Sequence, residues 1–369
     1  MRTITIKPKA LTHNLYQVKK LAPSAKVLAM VKSNAYGHGV AAVLPALQQA
    51  DGIGVATLAE ALEARQLGWH KTIGLIEGAF TADEWQTAIA QDISCVIHHE
   101  PQLMWALDNI PPASSATRVV WLKYNTGMNR LGFDAKGVID AAARLHAGGY
   151  QLILTTHFAN ADDSSHPLNA LQIQRFNDML QTLKETVSDE VKGSLCNSAG
   201  IVNFAEHHHD WVRPGIILYG SSPVVDQSAA TLDLQPAMEL CAQIIALQTV
   251  SANDAIGYGS LWSAPHDTKT ALVSIGYGDG YPRVISSDAY VTVINAADQQ
   301  RYRCAVLGRV AMDMIVIDAS TMPAGTALNS KVILWGEAPH VDEVASHAGT
   351  ISYELLCRLS TRPARIAAH

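Results

Sequence analysis

Across the first two-thirds of the chain, short apolar runs alternate with amphipathic stretches, and no other feature restricts the fold as strongly. The runs fall at residues 26–31, 52–56, 72–76, 94–97, 118–122, 151–155, 193–196 and 215–219. A strand with one wet face alternates polar and apolar residues. Near-continuous runs therefore predict strands covered on both faces, as in a parallel sheet. Between them, Leu11, Leu15, Val18 and Leu21 repeat at helical spacing. Residues 58–67 are rich in Ala, Leu and Glu, which are strong helix formers. Thr81 with Glu84 reads as a capping box, and residues 169–187 form a long amphipathic stretch. Eight such units in roughly 220 residues predict a TIM (β/α)8 barrel. A doubly wound open sheet has the same alternation, and periodicity alone leaves it open.

The pattern changes near Leu234. Beyond it, runs at 240–245 and 289–294 are separated by turn signals at Asn253-Asp254 and Ala297-Asp298, and helical periodicity is rare. The expected division is a barrel over 9–233 and a β-rich C-terminal domain over 234–369. Residues 1–8 are expected to join the second domain, although local pattern leaves that open.

The chain has 369 residues, enough for two cores, and 48% of them are hydrophobic. A net charge of −6 leaves no basic footprint for nucleic acid. The five cysteines are scattered with no CxxC pair, so neither a disulfide framework nor a zinc site is expected. The N-terminus lacks a signal-peptide layout, and no apolar run has the length of a membrane span. Cytoplasmic residence is the expectation.

Polar residues recur at the carboxyl ends of the expected strands. Lys32 closes the first, where partial desolvation lowers an amine's pKa and suits it to Schiff-base chemistry. On spacing alone, a lysine that simply reaches solvent at the barrel rim is the favoured reading. Lys123 closes the fifth, with Arg130 in the following loop, and His157 closes the sixth. Asn197 and Ser198 close the seventh, and Arg213 lies beside the eighth. Barrel active sites are built at these ends, often with a phosphate site after strands seven and eight. Ser198 and the backbone of Gly215 and Ile216 are therefore candidate phosphate ligands. In the β-rich part, Tyr258 stands between two glycines; an acid/base role there would need nearby cations. The run Glu206-His207-His208-His209-Asp210 reads as a solvated loop, and no metal is expected.

At these motifs the chain resembles bacterial alanine racemases. The segment Ala29-Met30-Val31-Lys32-Ser33-Asn34-Ala35-Tyr36-Gly37-His38-Gly39 resembles the family's cofactor-lysine signature. The likeness continues in order through residues 122–132, 156–162, 197–199, 212–216, 257–259, 308–313 and 351–354. It implies a TIM barrel plus a β domain, and a head-to-tail homodimer with shared active sites. It implies that Lys32 holds pyridoxal 5'-phosphate as an aldimine, and that Lys32 and Tyr258 transfer protons on opposite faces of alanine. Tyr36, Ser198, Gly215, Ile216 and Tyr353 would bind the phosphate, with Asn197 beside them. Arg213 would face the pyridine nitrogen, and His157 would lie against the ring. Arg130 would contact the cofactor oxygen or the substrate carboxylate. Lys123 matches a position that is carbamylated in many members. Tyr258 and Met312 would come from the other subunit. Asn125 and Gly257 stand where aspartate and serine are usual. The implied role is D-alanine supply for peptidoglycan. Alternatives are a racemase for serine, lysine or a broader range, a fold-related amino-acid decarboxylase, and a non-catalytic pyridoxal-phosphate carrier. The decarboxylases lack a tyrosine between glycines, and the carriers lack the β-rich half.

Overall fold

The structure, a computed structural model, describes residues 2–323, 325 and 328–368. A short strand β1 (Thr3–Ile6) precedes a parallel sheet of eight strands. These are β2 (Lys26–Met30), β3 (Gly52–Val55), β4 (Thr72–Leu75), β5 (Ile93–Ile97), β6 (Val119–Lys123), β7 (Gln151–Thr155), β8 (Lys192–Ser194) and β9 (Trp211–Val212). Each of β2 to β8 pairs with its sequence neighbour, and β9 pairs back onto β2. A parallel bridge between Asn197 and Arg213 joins the segments that follow β8 and β9 and closes the ring. This is the TIM barrel that the alternation predicts.

One of the expected strands is something else. Residues 215–219 do not form the eighth strand: Ile216–Tyr219 is a 3-10 turn, and the strand is Trp211–Val212. All four residues of the turn are buried, and Asn14 Nδ2 donates to Leu218 O at 3.0 Å from the first helix. A short apolar run buried on every side looks alike in the sequence whether it is strand or helical turn. The capping box also moves. Thr81 does accept from Glu84 N, but Glu84 caps Phe80 N instead of closing the box. The reciprocal box belongs to Thr57 and Glu60, at the start of the helix Leu58–Gln66.

Inside the barrel, alternate residues of each strand form layers. Gly52, Gly54 and Gly74 make room there: a Cβ on Gly54 would stand 2.6 Å from Met30 Sδ, and one on Gly74 3.2 Å from Leu28 Cδ2. The large inward side chains of β2 thus replace side chains that β3 and β4 lack.

The second half is built on β10 (Met238–Val250), a 13-residue strand long enough to serve three partners. Register shifts let it pair with Lys331–Trp335 near its start and Thr268–Val273 toward its end. Thr268–Val273 also continues through Ile315–Asp318, Arg301–Leu307 and Tyr290–Ile294 back to Lys331–Trp335, so the six strands form a closed ring. The strand β1 lies against β10, with Thr3 opposite Cys241, and Ala364–Ala367 pairs with β1. The N-terminal strand therefore belongs to the β-rich sheet, a long-range pairing invisible in local pattern. Among the described residues, no helix is long and apolar enough to cross a membrane.

Candidate active site

Lys32 follows β2 directly and opens a turn of unusual hand. Ser33, Asn34, Ala35 and Tyr36 have φ of 54°, 52°, 53° and 52°. Left-handed helical backbone costs roughly 1–2 kcal/mol per residue for residues with a Cβ. The surroundings hold it in place. Glu60, the capping residue, accepts from Ser33 N at 2.7 Å through Oε1. Asn34 Oδ1 accepts from Val40 N at 3.0 Å. The carbonyls of Ala35 and Tyr36 both face His38 Nδ1, at 3.1 and 2.9 Å, and Arg365 Nε donates to Gly37 O at 3.1 Å. Burial pulls His38 down to about 4, so it is neutral near pH 7 and Nδ1 carries the proton toward those carbonyls. Strain concentrated beside one lysine and over-determined by its neighbours is characteristic of a functional site.

Lys32 lines a cavity of about 460 Å³ at the carboxyl ends of the barrel strands. Tyr36, Lys123, Arg130, His157, Asn197, Ser198, Arg213, Gly215, Ile216 and Tyr353 line it too. Every barrel residue singled out from the sequence thus converges on one cavity, with Tyr353 arriving from the C-terminal part. Tyr258 and Met312 do not line it; within one chain they are 71% and 53% exposed on the β-rich half.

Four basic side chains, Lys32, Lys123, Arg130 and Arg213, share these walls with the carboxyl group of Glu77 among the described residues. Burial, and then the nearby Arg213, Arg130 and Lys32, bring Lys123 down to about 7. Burial and the same group of cations hold His157 well below its ordinary value, so its ring is neutral. Burial lowers Arg213 to about 10, which leaves it charged at neutral pH. Its guanidinium is pinned: Nη1 donates to Ser194 O at 2.8 Å, and Nη2 to Thr156 O at 2.5 Å and Leu195 O at 3.2 Å. Ser198 Oγ accepts from Gly215 N at 2.7 Å. A Cβ on Gly215 would stand 2.4 Å from Tyr36 Oη, so glycine keeps this corner open.

Family models for the N-terminal and C-terminal domains of alanine racemase match residues 6–223 and 237–367. The chain belongs to the alanine racemase family. The alanine racemase of Psychrobacter sp. (strain PRwf-1) is 52% identical over 368 residues, covering 98% of each chain. The solved alanine racemase of Acinetobacter baumannii is 45% identical, with a TM-score of 0.92 over 100% of this chain and 99% of that one. That of Bartonella henselae, solved with covalently bound pyridoxal phosphate, is 26% identical, with a TM-score of 0.86 over 100% of this chain and 99% of that one.

The cavity has walls that the motifs do not announce. Trp121 is two residues before Lys123 on the same strand face and also lines a cavity at the opposite end of the barrel, so it forms the floor. The strand's period of two already places it there. Cys357 lines the cavity too, whereas the other four cysteines are buried. Tyr219 stacks on Tyr36 at 4.6 Å and donates through Oη to Met30 O at 2.8 Å. Two departures from the family pattern have local explanations. Asn125 Oδ1 accepts from Gly127 N and Asn129 N, so this residue organises its own loop. Gly257 has φ of 73°, a conformation that disfavours the usual serine.

The histidine run is occupied structurally. His208 Nε2 lies 2.9 Å from Ile201 O, and His209 packs against the Phe176 ring at 5.1 Å.

Proposed function

We propose that this protein interconverts L-alanine and D-alanine, with pyridoxal 5'-phosphate attached at Lys32 and with Lys32 and Tyr258 as the two proton-transfer groups. The observation that carries the reading is the strongly cationic cavity around Lys32, in a chain matched to the alanine racemase family over nearly its whole length. The residues suit the cofactor. Its phosphate and phenolic oxygen are anionic, and the walls offer the guanidinium groups of Arg130 and Arg213, a hydroxyl at Ser198 and an open corner at Gly215. A neutral His157 suits contact with a planar ring better than an imidazolium would.

Tyr36, Ser198, Gly215, Ile216 and Tyr353 would hold the phosphate, with Asn197 beside them, and Arg213 would meet the pyridine nitrogen. When bound, the cofactor supplies the conjugated system that makes an α-proton acidic. Lys32 Nζ takes or returns that proton on the face from which D-alanine is made or consumed. Tyr258 Oη does so on the L-alanine face. A fixed Arg213 cation opposes protonation of the pyridine nitrogen, which should suppress transamination. Arg130 orients the substrate carboxylate or the cofactor oxygen, and Met312 borders the substrate. The uncharged Lys123 amine is the form that reacts with carbon dioxide, and its carbamate would give Arg130 an anionic partner.

Tyr258 and Met312 reach the cavity in this reading from a second copy of the chain, so the working unit is a homodimer. We place the domain division at 9–233 and 234–369, with residues 1–8 in the second domain. The family assignment supports cytoplasmic residence and D-alanine supply for peptidoglycan.

The deciding experiment incubates the purified protein with L-alanine in heavy water and resolves the product on a chiral column. D-alanine carrying deuterium at the α-carbon is expected. Carbon dioxide release, or no exchange at all by cofactor-loaded protein, would refute the assignment.

A further inference from the structure

The helix Val341–His347 lies outside the walls of the Lys32 cavity, and its second residue is Asp342. We propose that Asp342 is a positioning residue that sets the spacing between the two walls of the phosphate site, the barrel segment that follows Gly215 and the segment that carries Tyr353. The proposal rests on the reading of Tyr353 and Gly215 given above.

The carboxylate gathers donors from both segments. From the barrel side, Ser221 Oγ donates to Oδ1 at 2.5 Å and Ser222 N donates to Oδ2 at 3.0 Å. From the C-terminal side, Ser352 Oγ donates to Oδ1. His340, the residue before the helix, places Nδ1 3.1 Å from Asp342 Oδ2 and Nε2 3.0 Å from Gly220 O. An ionised carboxylate only accepts, and here its acceptor sites meet donors from segments more than a hundred residues apart. Charge-assisted bonds of this kind are short and stronger than neutral ones.

The positions of these donors give the cluster its consequence. Ser221 and Ser222 follow Gly220, the residue that ends the Ile216–Tyr219 turn begun at Gly215. Gly220 has φ of 86°, and a Cβ there would stand 2.0 Å from Gln235 O, so this backbone has little room to drift. Ser352 is the residue before Tyr353. Tyr36 lies between the two segments, stacked on Tyr219 at 4.6 Å and 6.1 Å from Tyr353. The anchor itself is fixed from behind. Glu343 accepts from Tyr290 Oη at 2.8 Å, and the Tyr290 ring carries Arg303 at 3.7 Å. A chain of contacts thus runs from the β-rich sheet through the helix to both sides of the cavity corner.

A staple that only stabilised the fold would change melting and leave cofactor affinity alone. A positioning residue acts through Tyr353. The test titrates full-length, cofactor-stripped protein with pyridoxal phosphate and follows the absorbance of the bound form. Asp342→Asn should weaken binding about tenfold, the loss of one well-placed charged hydrogen bond. Ser352→Ala should weaken it severalfold, and Ser352→Thr, which keeps the hydroxyl, should restore it. In a Tyr353→Ala background, Asp342→Asn should cost clearly less than it does alone, because the part of its effect that acts through Tyr353 is already gone. Additive losses, or unchanged affinity in Asp342→Asn, would overturn the proposal. Should Asp342→Asn fail to fold, the Ser352 pair decides: unchanged affinity in Ser352→Ala overturns it. If Tyr353→Ala alone leaves affinity unaltered, the placement of Tyr353 at the phosphate falls, and this proposal with it.

Discussion

Lys123 shares its cavity with three other basic side chains, and its charge state bears on both stability and chemistry. Its folded pKa is about 7, against 10.5 ordinarily. Between those values the unfolded chain binds the extra proton and the folded chain does not. Stability contributed at this site therefore rises as pH climbs from 7 toward 10, and the full penalty of a buried cation applies below 7. Replacing Lys123 with Met should flatten that slope in cofactor-free protein and raise Tm at pH 7 by about 1–2 °C, as roughly 1 kcal/mol does in a chain of 369 residues. A Tm-against-pH series on both proteins checks it. Lys32→Ala should lose the borohydride-trappable cofactor linkage, read by peptide mass; trapping at another lysine would end that assignment. Tyr258→Phe should keep the cofactor spectrum and lose about 10³-fold in racemisation, because a ring without a hydroxyl cannot relay the proton. At this scale the sequence was informative through residue type at strand ends. It was silent on Trp121 and Cys357, a buried ring and an exposed thiol that only the cavity gives a role.

The element that most constrains the site is the left-handed turn from Ser33 to Tyr36, a conformation seldom adopted by residues with a Cβ. Helix propensity describes right-handed backbone, so no local score predicts this turn. Its exit depends on Gly37, which has φ of 77° and would bring a Cβ within 2.0 Å of Leu356 O. Gly37→Ala is therefore predicted to destabilise by about 2–4 kcal/mol, combining a strained φ with a backbone clash. Denaturant melts of holo and cofactor-free protein would measure it, and a loss below 1 kcal/mol would show that the turn relaxes freely. The 3-10 turn at Ile216–Tyr219 offers the complementary lesson. Its apolar run reads as a strand, yet Pro214 and Gly215 precede it and it packs inward as a turn. Its burial was legible in composition, and its backbone geometry was not.

For the whole molecule, the exposure of Tyr258 and Met312 makes one chain an incomplete site in the proposed mechanism. Complementation tests this directly. Lys32→Ala and Tyr258→Phe homodimers should both be inactive. Mixed and allowed to exchange subunits, they should recover about a quarter of wild-type activity, since half the dimers are mixed and each has one intact site. No recovery after exchange, verified by native mass spectrometry, would place both groups in the same chain.

By itself the sequence determined seven of the eight barrel strands, the change to β-rich pattern near Leu234, the polar strand ends and the family motifs. These are local in the chain: a strand buried on both faces must be apolar throughout, and a barrel exposes its strand ends at one rim. Only the tertiary structure decided the rest. It placed β1 beside β10, closed the barrel through Asn197 and Arg213, and set four basic side chains around one cavity. It also made Asp342 the junction of segments far apart in the chain. Each of these depends on residues distant in sequence meeting in space, and the electrostatic consequences, above all the lowered pKa of Lys123, arise only once water has been excluded from between them.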